Sequence, residues 1–303
     1  MTLLDKAIVR MLPVVPRPVV QLFSSRYIAG STLGDAVDVV RALNGQGKMT
    51  TIDVLGEEIT REDEARAIAR AYRDVLDAIE RERLDSTISV KPTALGLELS
   101  YELCRGNLVS ILELARASGN FVRIDMEDSS TTTDTLRMYR ELREDGFDNL
   151  GVVLQAYLRR TLDDIQALAD LVPNVRLCKG IYVEPPSIAY TDAEAVRANF
   201  VRALHALLEI DGAHTAIATH DEWLIQHALG DVAGLERGSY EFQMLLGVRE
   251  ARATELVRAG HPLRVYVPFG EHWYQYSLRR LQENPAMAGT IARATVGRVL
   301  GRA

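Results

Sequence analysis

Short aliphatic runs alternate with longer amphipathic segments along most of the chain. The first run, Thr50–Gly56, predicts a strand followed by a helix that ends near Arg83, and the last, Leu263–Pro268, precedes a helix with one apolar and one ionic face. Six further strands are predicted at 86–90, 120–127, 150–157, 175–180, 214–220 and 240–245. Eight strands alternating with helices over short connections predict an α/β protein of the (β/α)8 TIM-barrel type.

The barrel is expected to occupy residues 47–285 as one catalytic domain. Residues 1–46 are predicted to form an N-terminal helical arm, and residues 286–303 a C-terminal helical tail. The helix after the eighth strand is expected to lie over the barrel mouth, which would distort the regular barrel. Thr60, Thr161 and Thr191 each stand three residues before a carboxylate and are predicted to open helices.

Composition indicates an ordinary globular protein, because 47% of the 303 residues are hydrophobic and 25% are charged. A net charge of −7 argues against general nucleic-acid binding, which would favour a basic domain. Cys104 and Cys178 are far apart and lack companions at metal-ligand spacing, and no two histidines have that spacing. We therefore expect a protein of the reducing cytoplasm with neither a disulfide nor a metal site.

The first 30 residues are basic and apolar, with Lys6, Arg10, Arg17 and Arg26 opposed by Asp5 alone. Prolines and charges interrupt the apolar run, so it can neither span a bilayer nor serve well as a secretory signal. Two interpretations stand: an arm that packs on the main body, or a peripheral contact with the anionic cytoplasmic face of the inner membrane.

Polar side chains concentrate where the predicted strands end, and active sites of (β/α)8 barrels lie at the C-terminal strand ends. These residues are Lys91, Asp125, Glu127, Gln155, Arg176, Lys179, Thr219, His220, Gln243 and Tyr266. Charges within short apolar strands are costly to bury unpaired. Asp125 and Arg176 therefore form either a purely structural ion pair or part of a functional site.

Lysines at barrel strand ends suggest a second chemistry. Lys91 or Lys179 could form a Schiff base, which would make the protein an aldolase-like lyase. A Schiff base needs one positive centre, whereas several basic groups are expected around this mouth. The excess of basic groups favours anionic ligands with more than one acidic group, such as a phosphate-bearing cofactor and a carboxylate substrate.

The helix after the eighth strand carries an ionic face formed by Tyr276, Arg279, Arg280 and Glu283. Such a face is often only solvated. Adjacent guanidinium groups repel each other, however, unless an anion lies between them, and their planar forks suit a carboxylate. This pair is therefore a candidate carboxylate clamp.

Eight segments, in order, resemble the flavin-dependent proline dehydrogenase family over residues 50–284. They are SVKPTALG, RIDMED, VVLQAYLRR, VRLCKGIY, AIATH, YEFQMLLG, VYVPFG and YSLRRLQEN. Each is weak alone, but the ordered set, with RLxKGxY and YxxRRxxE, is specific. The resemblance implies a monofunctional bacterial enzyme that oxidises L-proline to 1-pyrroline-5-carboxylate, the first step of proline catabolism, by hydride transfer from C5 to N5 of FAD.

The resemblance also implies roles for individual residues. Asp125 and Arg176 would be catalytic, with Arg176 near flavin N5. Arg279, Arg280 and Lys91 would bind the proline carboxylate. Tyr182, Leu245, Tyr266, Tyr276 and Glu283 would complete the substrate site. The FAD contacts would be Met126, Gln155, Lys179, Gly180, Ile181, Thr219, His220 and Gln243.

Two positions depart from the family pattern. Asp221 stands where the family commonly has Asn, and Ile181 where a smaller residue is frequent. Both lie on the expected cofactor side, so the carboxylate clamp is unaffected. The resemblance further implies a quinone as electron acceptor. The sequence shows no aldehyde dehydrogenase domain, so a separate dehydrogenase is expected to oxidise the product. A barrel that only senses an amino acid or flavin is the non-enzymatic alternative.

Overall fold

Eight parallel strands close a barrel in a computed structural model that describes residues 26–56 and 59–273. Neighbours along the chain are neighbours in the barrel, and β8 pairs with β1 through the register Thr51 with Tyr266. The predicted (β/α)8 fold is confirmed. The strands are β1 Met49–Val54, β2 Ser86–Val90, β3 Val122–Ile124, β4 Leu150–Gln155, β5 Asn174–Cys178, β6 His214–Ala218, β7 Tyr240–Leu245 and β8 Leu263–Phe269.

Helices surround this barrel, and one of them precedes β1. That helix, α1, packs against β1 and β8, the two strands at which the barrel closes. The described α-helices are α1 Leu33–Asn44, α2 Glu62–Glu82, α3 Tyr101–Ala117, α4 Ser129–Glu144, α5 Thr161–Leu168, α6 Ala193–Leu208, α7 Glu222–Asp231 and α8 Glu250–Arg258. The predicted final helix and C-terminal tail, and most of the predicted arm, lie outside the described residues.

In β1, β2 and β3 the two faces of the strand differ in polarity. Ile52, Ile88 and Ile124 are fully buried and belong to the core between strands and helices. Because successive strand residues face opposite sides, the intervening Asp53 and Ser89 point into the barrel. An apolar outer layer holds the helices on the barrel, and polar groups of these three strands face the interior.

Three predicted helix starts are wrong by about one residue. Arg61 is the N-cap of α2, and its N–H donates to Glu64 at 3.1 Å. Asp192 caps α6 by accepting from Ala195 N at 2.9 Å. Thr161 lies inside α5, where its hydroxyl donates to Gln155 O at 2.6 Å. The bond to Gln155 O draws Thr161 into α5, and the carboxylate of Asp192 replaces Thr191 as the cap of α6.

No helix in the described part of the chain is both long enough and apolar enough to cross a bilayer.

Candidate active site

A buried ion pair joins Asp125, just after β3, to Arg176 on β5. Arg176 Nη1 lies 2.6 Å from Asp125 Oδ1, and both side chains are almost entirely buried. Ser89 Oγ donates to the same carboxylate oxygen at 2.7 Å, and Tyr266 OH donates to the other oxygen at 2.8 Å. The Asp125 carboxylate is thus held by three strands besides its own segment.

A second buried pair lies beside the first, formed by Lys91 after β2 and Asp53 on β1. Lys91 Nζ is 2.5 Å from Asp53 Oδ2 and 3.4 Å from Tyr266 OH. Burial alone would lower the pKa of Lys91, but the Asp53 carboxylate, together with Tyr266 and Asp125, raises it well above its usual value. Lys91 is therefore a fixed cation, and Tyr266 links it to Asp125.

The hydrogen-bond network continues from Arg176 through the barrel interior. Arg176 Nε donates to Gln243 Oε1 at 2.5 Å, and the Gln243 amide donates to Glu241. Arg264 Nε pairs with Glu241 Oε1 at 2.8 Å. Burial and the nearby Arg176 lower the pKa of the neighbouring Arg123 to about 9. The site rests on a column of paired polar groups.

Another charged cluster lies at the rim, where Asp221 accepts from two cations. Lys179 Nζ lies 2.5 Å and Arg197 Nε 2.8 Å from Asp221 Oδ2. Burial opposes ionisation of Asp221, but hydrogen bonds from Arg197 and Lys179 outweigh it and lower its pKa to about 2. Asp221 also caps α7 by accepting from Trp223 N at 3.1 Å. Asp221 thus organises this rim.

The backbone directly after Lys179 comes very close to an aromatic ring. Gly180 has φ +102°, and a Cβ at this position would lie 2.0 Å from the Tyr157 ring. Only glycine fits both the backbone angle and the space. On the neighbouring strands, Thr219 Oγ1 accepts from Asp221 N at 3.1 Å, and His220 Nε2 accepts from Leu245 N at 2.9 Å.

The remaining predicted contacts lie near the ends of β3 and β4. Gln155 Nε2 donates to Glu127 O at 2.7 Å, and Met126 is buried in the core. Burial raises the pKa of Glu127. Hydrogen bonds from the backbone and hydroxyl of Thr93 act in the opposite direction and lower it. Leu245 is registered beside Tyr266.

Most of the predicted site residues therefore meet at one end of the barrel. The described ones are Lys91, Asp125, Met126, Gln155, Arg176, Lys179, Gly180, Ile181, Tyr182, Thr219, His220, Gln243, Leu245 and Tyr266. The predicted clamp residues Arg279 and Arg280, with Tyr276 and Glu283, lie outside the described residues. Within residues 26–56 and 59–273, no group of three His, Cys, Asp or Glu side chains is arranged to hold a metal.

Sequence reasoning missed Asp53, Ser89 and Tyr72. Tyr72 on α2 donates to Asp53 Oδ1 at 3.2 Å and to Ser89 O at 2.6 Å. A signal for Asp53 was present, since it is the only charged residue in the predicted strand Thr50–Gly56. The partners of Asp53 are far along the chain, so its role became visible only in the closed barrel.

Comparison with known proteins places this chain in a family. A family model described as proline dehydrogenase matches residues 36–293. The chain is 40% identical to proline dehydrogenase 1 of Bacillus subtilis strain 168 over 273 residues, which cover 89% of this chain and 90% of the relative. The chain belongs to the proline dehydrogenase family. The predicted family and enzyme class are confirmed, and the first step of proline catabolism follows from this membership.

Other relatives agree. The proline dehydrogenase of Deinococcus radiodurans is 34% identical over 274 residues, with 88% of each chain covered. Among solved structures, proline utilization A from Bdellovibrio bacteriovorus, inactivated by N-propargylglycine, matches with a TM-score of 0.80 and 26% identity. That match covers 86% of this chain and 32% of the other, so this chain spans about a third of the larger protein.

Removing the Asp125 carboxylate should destabilise the barrel strongly. We expect Asp125→Ala to lower the free energy of unfolding by about 3–5 kcal/mol, because Arg176 then loses its buried counter-charge. Urea unfolding measures the change. Asp134→Ala is the matched control, because Asp134 pairs with Arg137 at 3.2 Å on the exposed side of α4 and should contribute less than about 1 kcal/mol. Equal losses in both variants would contradict the buried-pair interpretation.

Proposed function

We propose that this protein oxidises L-proline to 1-pyrroline-5-carboxylate with FAD as its redox cofactor. The observation that supports this most directly is the buried set of Lys91, Asp125, Arg176 and Tyr266, which meets at the C-terminal end of the barrel in a chain of this family. Two cations held by carboxylates and joined by a phenol suit a bound carboxylate and a ring that gains negative charge.

The chemistry of the rim fits a flavin dinucleotide. Lys179 and Arg197 offer cations for its phosphates, and the α7 N-terminus begins beside them. Trp223 is 41% exposed and lies 5.8 Å from the Arg197 guanidinium, which provides an aromatic surface for a base. Gly180 permits close approach of the backbone. Met126, Gln155, Ile181, Thr219, His220 and Gln243 complete the proposed FAD contacts.

Asp221 gives this rim a distinctive balance of charge. Its carboxylate partly neutralises Lys179 and Arg197, which would otherwise repel each other. The cations are thereby held in place before a phosphate arrives. We propose that this arrangement orients the two basic side chains toward the cofactor.

In the proposed reaction, the protein's own residues bind and orient proline. Arg279, Arg280 and Lys91 would hold its carboxylate, while Tyr182 and Leu245 would pack around the ring and Tyr276 and Glu283 would support the clamp. FAD, when bound, supplies the acceptor for the hydride that leaves C5. Loss of that hydride and of the amine proton leaves a C5=N bond, so the substrate gives up two electrons and two hydrogens. Arg176 would stabilise negative charge near the acceptor.

The Schiff-base alternative is disfavoured by the lysines themselves. A nucleophilic lysine must be neutral, which requires a lowered pKa. The pKa of Lys91 is raised, and both Lys91 and Lys179 contact carboxylates at 2.5 Å. These lysines act better as cationic binding groups than as nucleophiles.

Visible absorbance tests the proposed reaction. We expect the purified protein to be yellow, to bleach when L-proline is added without oxygen, and to regain its colour when a soluble quinone is added. A colourless protein that borohydride traps covalently with substrate would indicate a lyase. A yellow protein that proline does not bleach would indicate a flavin-binding sensor, and either result would refute the proposal.

The carboxylate clamp can be tested separately. Arg279→Met and Arg280→Met should each raise the KM for proline by roughly 10- to 100-fold, because each removes a charge-assisted contact of ~1.5–3 kcal/mol. The flavin content should be unchanged. Arg66→Met, on the exposed surface of α2, is the matched control and should keep the wild-type KM. Wild-type KM values in both variants would contradict the assignment of Arg279 and Arg280 as the carboxylate clamp.

We propose that electrons pass from the flavin to a membrane quinone, and that a separate dehydrogenase oxidises the product. A quinone acceptor would suit a cytoplasmic protein with a peripheral membrane contact, which the basic, apolar residues 1–28 could supply. Co-sedimentation with anionic liposomes should fall when these residues are deleted. Neutral liposomes serve as the control, and equal binding by both forms would contradict the proposed contact.

A further inference from the structure

Residues 180–188 form part of the segment between β5 and α6 and are called the β5–α6 strap. Its ends are tied to the segment that follows β4. Tyr157 N donates to Lys179 O at 2.7 Å, and Arg159 N donates to Ile188 O at 2.9 Å. Arg159 Nε also donates to Pro186 O at 2.8 Å. The strap is thus anchored at its base, while its central residues reach further, toward β3 and α4.

Alternate residues of the strap face opposite directions. Ile181 is 42% and Val183 101% exposed, whereas Tyr182 and Glu184 are partly buried. Burial raises the pKa of the Tyr182 hydroxyl. The negative charge of Glu127 raises it further, whereas the positive charge of Lys91 lowers it. Tyr182 and Glu184 therefore lie on the same, inward side of the strap.

Glu184 fastens the strap to the start of α4, 55 residues earlier in the chain. Its Oε1 accepts from Ser129 N at 2.7 Å, and its Oε2 accepts from Ser129 Oγ at 2.7 Å. Both bonds are charge-assisted, and the carboxylate lies at the positive end of a 16-residue helix. Two parallel bonds fix the orientation of Glu184 as well as its position.

Capping of α4 alone does not account for this contact. Asp128 is already the N-cap, and its Oδ1 accepts from Ser130 N at 3.0 Å. The helix therefore has a local carboxylate at its N-terminus without Glu184. What Glu184 adds is a connection between two βα units that lie on either side of the β4 loop.

We propose that Glu184 is a positioning residue, whose bonds to Ser129 hold the β5–α6 strap so that Tyr182 closes one side of the proline pocket. This inference rests on the proposed proline oxidation. Glu184 has no direct contact with the reacting atoms in this role. It acts through Tyr182, and it should therefore affect the binding of proline more than the chemical step.

Steady-state kinetics with proline test the role of this contact. We expect Glu184→Ala to raise the KM roughly tenfold, which corresponds to the loss of one net charge-assisted interaction, and to change kcat by less than about twofold. Ser129→Ala keeps the backbone bond and should raise the KM by roughly threefold. Val183→Ala changes the adjacent, fully exposed side chain and should leave KM and kcat unchanged.

A double-mutant cycle distinguishes action through Tyr182 from a separate effect. If Glu184 acts through Tyr182, adding Glu184→Ala to Tyr182→Ala should raise the KM no further. Hydrogen exchange should also quicken in residues 180–188 of Glu184→Ala and stay unchanged in Val183→Ala. Additive KM effects, or an unchanged KM in Glu184→Ala, would overturn the inference.

The remaining outcomes are also informative. If Glu184→Ala does not fold, Glu184→Gln and Ser129→Ala decide, because each retains one of the two bonds. A variant that loses stability but keeps the wild-type KM would show that Glu184 only caps α4. A wild-type protein that fails to oxidise proline would refute the proposed function. An active wild-type protein whose Glu184 variants keep the wild-type KM would refute only the positioning role of Glu184.

Discussion

Charged groups inside the barrel must be paired, and the organisation of the site depends on this constraint. An unpaired ion in the low-dielectric interior costs several kcal/mol. The pairs Lys91–Asp53 and Arg176–Asp125 meet this requirement, and Tyr266 joins them through one hydroxyl. Each group is held from more than one strand, so none can rotate without breaking another contact. The barrel therefore presents its cations in fixed orientations before any ligand binds.

The rim uses electrostatics of a different kind. Asp221 holds Lys179 and Arg197 where solvent still reaches part of the cluster, since the Lys179 side chain is 39% exposed. Solvent screening weakens such pairs, and their side chains can exchange one anion for another at modest cost. The interior therefore suits the placement of a reacting carboxylate and ring, while the rim suits the capture of phosphates. Next to Lys179, Gly180 lets the backbone pass close to the Tyr157 ring.

The contact between Glu184 and Ser129 holds a loop in place before a ligand binds, as the buried ion pairs hold the cations of the barrel interior. A strap attached only at its ends would sample many conformations, and ordering it on ligand binding would cost entropy. Two bonds to the start of α4 remove part of that freedom in advance. Tyr182 is then positioned by the fold, and not by the substrate alone.

The alternating polarity of the chain determined the barrel, because period-two strands and amphipathic helices can bury their apolar faces in few other ways. It also placed Asp125, Arg176 and Lys91 at strand ends, since parallel strands end together. The tertiary structure decided the role of Asp53 and the bond between Glu184 and Ser129. Asp53 and its partner Lys91 are separated by 38 residues, and Glu184 and Ser129 by 55. Local sequence patterns do not predict such contacts, because only closure of the barrel makes these groups neighbours.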